Sequence, residues 1–223
     1  MDAKEFFGDW CEVVDFNILN PILYTLSSIM QTKEICPAPE NLFKAFGCCP
    51  YQKLKLVIVG LDPYPQSGRA TGIAFGNKEG TLPSEFSPSL KVLYDAVWKY
   101  CSYDLPFSTI DNVFPTLESW CNQGVLLLNS ALSVEVNKIG SHTSLWRPFI
   151  KSLLTNLQKT KDGLIFVLMG ETAQSFKSLL NKENTLCCVH PARCARTGEE
   201  FPDIFRQIDE KMQKNGKELI YWI

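Results

Sequence analysis

Hydrophobic positions along this chain fall into two alternating patterns. Short unbroken runs stand at LKLVIVG (54–60), VLLLN (125–129), GLIFVLMG (163–170) and LCCVH (186–190). Each is brief, aliphatic and almost free of polar interruption, as strands of a parallel sheet covered on both faces are. Between the runs, apolar residues recur every three or four positions. The stretch 88–101 aligns Leu90, Leu93, Tyr94, Val97 and Cys101 on one face, and Pro88 and Ser89 are good helix-start residues. Residues 146–158 align Trp146, Phe149, Ile150, Leu153, Leu154 and Leu157. Further helices are predicted over 171–180 and 202–213, and the first 45 residues read as mostly helical with a break near CPAPE.

Alternating strands and helices predict an α/β fold: a three-layer α/β/α sandwich around a central, mostly parallel four-stranded sheet, as a single domain over 1–223. In open sheets of this kind ligands bind outside the carboxyl ends of the strands. Those ends carry Asp62, Asn129, Gly170 and His190, so an acid, an amide and an imidazole are expected on one edge.

Composition narrows this picture. A hydrophobic fraction of 45% supplies a substantial core, and charged residues make up 21%. No run is as long as a bilayer span, and MDAKEFFGDWCEVV lacks the basic start of a secretory signal. The nine cysteines include two adjacent pairs but no CxxC, and there are two histidines. Reduced, buried thiols in an intracellular protein, cytosolic or nuclear, are expected, and zinc-ligand spacing is absent. A net charge of −2 announces no polyanion binder. Any grip on a polyanion must come from a local patch and backbone amides.

Three segments could carry chemistry. In LDPYP, Asp62 leaves a strand directly and two prolines hold Tyr64 in a fixed direction. A plain strand-exit turn is the competing reading. Asn129 ends a buried run; it could make a local turn or read a ligand edge that offers an acceptor beside a donor. In VHPAR, His190 stands at the sheet edge, where a structural role competes with a catalytic one, whereas His142 in SHTSLW reads as mainly structural.

GLDPYP, GIAFGN, LLLNSALSVEVNKIGSHTSLW, GETAQ and HPAR, in this order and spacing, resemble the motif series of the uracil-DNA glycosylases, most closely the family-1 type. The resemblance runs from FGDW to the GKELIYWI tail, and the DPYP variant is similar to that of some viral members. It implies an enzyme that flips uracil out of DNA and hydrolyses its N-glycosidic bond, without metal or organic cofactor. By the same resemblance, Asp62 activates water and stabilises the cationic sugar, while His190 stabilises the departing uracil anion. Asn129 reads the uracil O4 and N3 edge, Phe75 stacks on the base, Tyr64 excludes the thymine methyl group and Leu61 offers its backbone N–H. Ser87, Pro88 and Ser89 match a phosphate-pinching loop, which on physical grounds is also a helix N-cap. Uracil-containing DNA, free uracil as product, proteinaceous inhibitors and a replication or repair partner are the implied partners, with a monomer and no membrane.

The DNA-gripping positions depart from the family pattern. Glu171 and Ala192 stand where serines are usual, and Cys194 matches the leucine that wedges into the vacated stack. Arg193 or Arg196 could fill that gap and supply phosphate contacts. The expectation is ordinary uracil specificity with altered DNA binding. A non-catalytic DNA-binding or replication accessory module that keeps the fold is the alternative, and a glycosylase for another base is a further one. An unrelated hydrolase finds no G-x-S-x-G elbow and no P-loop.

Overall fold

The computed structural model describes residues 7–100 and 114–222. Four strands, β2 (Leu56–Gly60), β3 (Val125–Asn129), β5 (Ile165–Met169) and β6 (Thr185–Cys188), form one sheet in the order β3-β2-β5-β6, and every pairing in it is parallel. All five residues of β2 and of β5 are buried, so both faces of the sheet are covered and the expected layering holds. A two-residue antiparallel ribbon, β1 (Ile35–Cys36) with β4 (Val134–Glu135), was not legible in the apolar pattern.

The helices are α1 (Phe16–Met30), α2 (Lys44–Cys48), α3 (Pro88–Tyr100), α4 (Glu118–Asn122), α5 (Thr143–Thr160), α6 (Glu171–Gln174), α7 (Pro191–Thr197) and α8 (Ile204–Lys214). The side chain of Asp15 caps α1 by accepting from the Asn17 N–H at 3.0 Å. Helix α5 starts at Thr143, three residues before the predicted start, and runs through Pro148. The helix predicted over 171–180 is broken: α6 ends at Gln174 and a 3₁₀ turn follows over Lys177–Leu179. The expected place of Cys101 on α3 lies outside the described residues.

One continuous apolar core reaches from Phe7 to Trp222. Phe7, Trp10, Phe43 and Phe46 meet edge to face near Trp146 and Phe149 of α5. Trp120, Phe205 and Trp222 form a second knot, with ring centroids 4.9–5.8 Å apart. No helix among the described residues is long and apolar enough to cross a membrane.

The strand order places the topological switch between β2 and β5, whose connections leave in opposite directions. The crevice at the carboxyl end of that switch is where an α/β sheet of this kind holds a ligand.

Candidate active site

A cavity opens at this edge, and its wall includes Asp62, Pro63, Tyr64, Thr71, Phe75, Ser89, Asn129, Leu132 and His190. The sequence-predicted acid, amide and imidazole therefore meet in one place. Gly60 makes the convergence possible. It is level with Asn129 across the β2–β3 pairing, and a Cβ there would lie 2.7 Å from Asn129 Oδ1 and 2.9 Å from the Phe75 ring. Gly60→Ala is therefore expected to push both side chains out of register, with a stability loss of about 1–3 kcal/mol and a larger fall in kcat/KM. Urea unfolding and turnover measure the two, and wild-type turnover in the folded variant would refute the role given to Gly60.

Asp62 leaves β2 through the Asp-Pro-Tyr-Pro turn and is half-buried. Its Oδ2 accepts the Gly140 N–H at 2.6 Å. Burial raises its pKa, and the Gly140 hydrogen bond opposes the rise. Phe75 has φ +66°, a left-handed backbone uncommon for an aromatic residue. Neighbouring bonds hold it there: the Tyr64 hydroxyl donates to the Phe75 carbonyl at 3.0 Å, and the Ala74 N–H donates to Leu127 O at 3.2 Å. Strain over-determined in this way marks functional sites.

His190 has left β6 and stands at the N-cap of α7. Its Nδ1 accepts the Ala192 N–H at 3.2 Å. That bond places the ring proton on Nε2 of the neutral imidazole. Burial depresses the pKa of His190 to about 4, so it is neutral at physiological pH. The ring tilts over Phe75 at 5.6 Å between centroids. Gly170, with φ +88°, makes room beside it, since a Cβ there would sit 3.0 Å from His190 Cβ. The Asn129 amide carries no hydrogen bond among the described residues and is available to a ligand.

The outer residues divide. Tyr64 joins a buried network: its hydroxyl is 2.5 Å from Ser87 Oγ, which also accepts from Asn77 Nδ2 at 3.1 Å. Burial raises the Tyr64 pKa. Ser87 is 1% exposed and its hydroxyl also caps α3 through the Leu90 N–H at 3.4 Å. Its side chain is thus committed inward rather than offered to a phosphate; Ser89 lines the cavity and Pro88 is exposed. The match of Cys194 to a wedge is corrected by the fold: it is 3% exposed and faces the core from α7. Arg193 and Arg196 are both exposed, and Arg193 is paired with Glu199 at 3.2 Å. Leu61 stays outside the cavity wall, and its carbonyl accepts the Ala131 N–H at 3.1 Å. Glu171 and Ala192 are exposed.

The sequence reading missed Gly140 and the Ala192 amide, because both act through backbone N–H groups that residue type does not reveal. It also left out Asn77, although Asn77 lies inside the GIAFGN motif. No cluster of three or more His, Cys, Asp or Glu able to hold a metal ion occurs among the described residues.

Residues 46–213 match the model of the uracil DNA glycosylase superfamily. The chain belongs to that family. A uracil-DNA glycosylase of Campylobacter jejuni is 37% identical to this family member over 99% of the chain and 92% of the relative. Another, from Phocaeicola vulgatus, is 32% identical over 86% of the chain and 85% of the relative. Among solved glycosylase structures, a point variant of the mimivirus UNG in complex with UGI superposes with a TM-score of 0.77 at 25% identity, covering 100% of this chain and 88% of that one. The UNG of Nitratifractor salsuginis, at 22% identity and a TM-score of 0.61, shares the fold over 93% of this chain and 97% of that one.

Proposed function

We propose that this member of the family removes uracil from DNA by hydrolysing its N-glycosidic bond, with Asp62 and His190 as the catalytic pair. The carrying observation is that Asp62, Asn129 and His190 line one cavity with Phe75 at the carboxyl edge of the sheet. A flipped base would lie on the Phe75 ring. The Asn129 amide would pair with uracil O4 and N3–H, and Tyr64, held by Ser87 and Asn77, would form the wall against the base C5 that a thymine methyl group would strike.

The bond between C1′ and N1 breaks with its electron pair going to uracil. Cationic character develops on the sugar, where the Asp62 carboxylate favours it. A water held by Asp62 adds its oxygen to C1′ and loses a proton to that carboxylate. The anion gathering at uracil O2 takes a hydrogen bond from the neutral His190 Nε2–H. Preorganised donors of this kind are worth roughly 2–4 kcal/mol at the barrier.

The test is an oligonucleotide with one uracil, incubated with the protein and a chelator and then treated with alkali to cut abasic sites. Strand scission at uracil, and none at thymine or cytosine, is the expected result. No scission on single- or double-stranded substrate would overturn the reading.

For DNA contact, the buried Cys194 moves weight to Arg196, whose neighbour Arg193 is occupied by Glu199. Arg196→Ala is expected to lower the slope of log affinity against log salt by about 1 on duplex DNA, and Arg193→Ala by less. Equal slopes for Arg196→Ala and wild type would refute the contact. Proteinaceous inhibitors are proposed as partners by analogy with the mimivirus complex.

A further inference from the structure

The loop between β4 and α5 touches the catalytic turn at two points. The Asn137 N–H donates to the Pro65 carbonyl at 2.9 Å, and the Gly140 N–H donates to Asp62 Oδ2 at 2.6 Å. Both amides sit in turns that bend the chain the left-handed way, with φ +60° at Asn137 and +77° at Gly140. The loop is closed at its base. Ser133 Oγ lies 2.9 Å from His142 Nδ1, and the Glu135 N–H donates to Ser141 Oγ at 2.9 Å.

Trp146 Nε1 also donates to Ser133 Oγ at 2.8 Å, so Ser133 ties the imidazole to the body of α5. The other ring nitrogen, Nε2, is buried without a hydrogen-bond partner among the described residues. His142 itself is 3% exposed. A buried polar atom left unsatisfied is costly, and native folds keep such groups for a reason. Here the imidazole fastens loop exit to loop entry, and the loop delivers one amide to the catalytic carboxylate.

We infer that Ser133 and His142 are positioning residues for Asp62: they hold Gly140 so that one carboxylate oxygen is fixed and the other is left for water. This inference rests on the catalytic role proposed for Asp62. The charged and titratable groups near the device are Glu135, which faces His142 and is paired with Lys138, and His190, which shares the cavity with Asp62.

The experiment compares Ser133→Ala, His142→Leu, His142→Asn and the milder Ser141→Ala in the full chain. It measures kcat, KM, the pH profile of kcat, the carbon-13 titration of the Asp62 carboxylate and thermal unfolding. With the Gly140 hydrogen bond loosened, Asp62 should titrate at higher pH and the acid limb of kcat should move the same way. For Ser133→Ala and His142→Leu, kcat should fall roughly tenfold with KM nearly unchanged, since small misplacements at a site are expensive. His142→Asn, whose amide can stand in for Nδ1 as donor or acceptor, should restore both readouts. Ser141→Ala, at an exposed position, should shift them in the same direction by less, and it keeps the test alive if Ser133→Ala does not fold. Folded variants with an unmoved Asp62 titration would overturn the inference, as would a fall in thermal stability with a wild-type acid limb. The titration needs no turnover. A moved midpoint in a protein that fails to cut uracil would therefore sink the proposed function and leave the positioning role standing.

Discussion

Asp62→Asn is expected to lower kcat on uracil-containing DNA by on the order of a thousandfold while leaving DNA affinity close to wild type. The amide keeps the size of the carboxylate and can still accept the Gly140 N–H. It cannot take a proton from water, and it brings no negative charge to the sugar. The pH profile separates this from misfolding. The acid limb of wild-type kcat is expected to follow Asp62, whose pKa burial raises from its ordinary value. The limb should vanish in the variant. A single-turnover assay from pH 4 to 8 is the measurement, and a retained limb would assign it to another group.

His190→Ala is expected to reduce kcat by about a hundredfold or more, the usual loss when one preorganised donor is removed from a developing anion. Its effect on stability has a definite sign. The unfolded chain binds the His190 proton below about pH 6.5, whereas the folded chain refuses it until about pH 4. Between those values the unfolded state holds more protons, so wild-type stability falls as the pH drops and levels off below about 4. The span corresponds to about 3 kcal/mol for this group. Urea unfolding at pH 7 and pH 4.5 should show a shallower decline in the alanine variant. Identical declines would mean that His190 is not held neutral by the fold.

Much of this site was legible in the sequence because each key side chain follows an apolar run and a parallel sheet brings such ends together. Asp62, Asn129 and His190 were found that way, and Phe75 and Tyr64 by the company of their motifs. What stayed hidden depends on direction or on backbone. Cys194 occupies the place of a wedge in the linear order, but helix α7 turns it into the core. Ser87 reads as phosphate ligand and cap alike, and its bonds to Tyr64, Asn77 and Leu90 show the capping role that residue type alone does not reveal. The two-residue β1–β4 ribbon is too short to leave a periodic signal. Helix α5 begins at Thr143, one turn ahead of Trp146, because its first turn precedes the periodic apolar face that marks the rest.

The ribbon bears on how the chain can be shortened. The family match spans 46–213, and a recombinant fragment cut to those limits would look like a sensible catalytic unit. It would lack Ile35 and Cys36, the partners of β4, and the Glu34 carbonyl that receives the Val136 N–H at 3.0 Å. It would also lose Trp222, whose carbonyl receives the Trp120 indole N–H at 2.9 Å. Such a fragment would retain Asp62, Tyr64, Phe75, Asn129 and His190, yet it would lose Leu42 and Ala45 from the cavity wall and the brace on the loop that carries Gly140. Crystallisation or inhibitor screening on it would report on a slack version of the pocket.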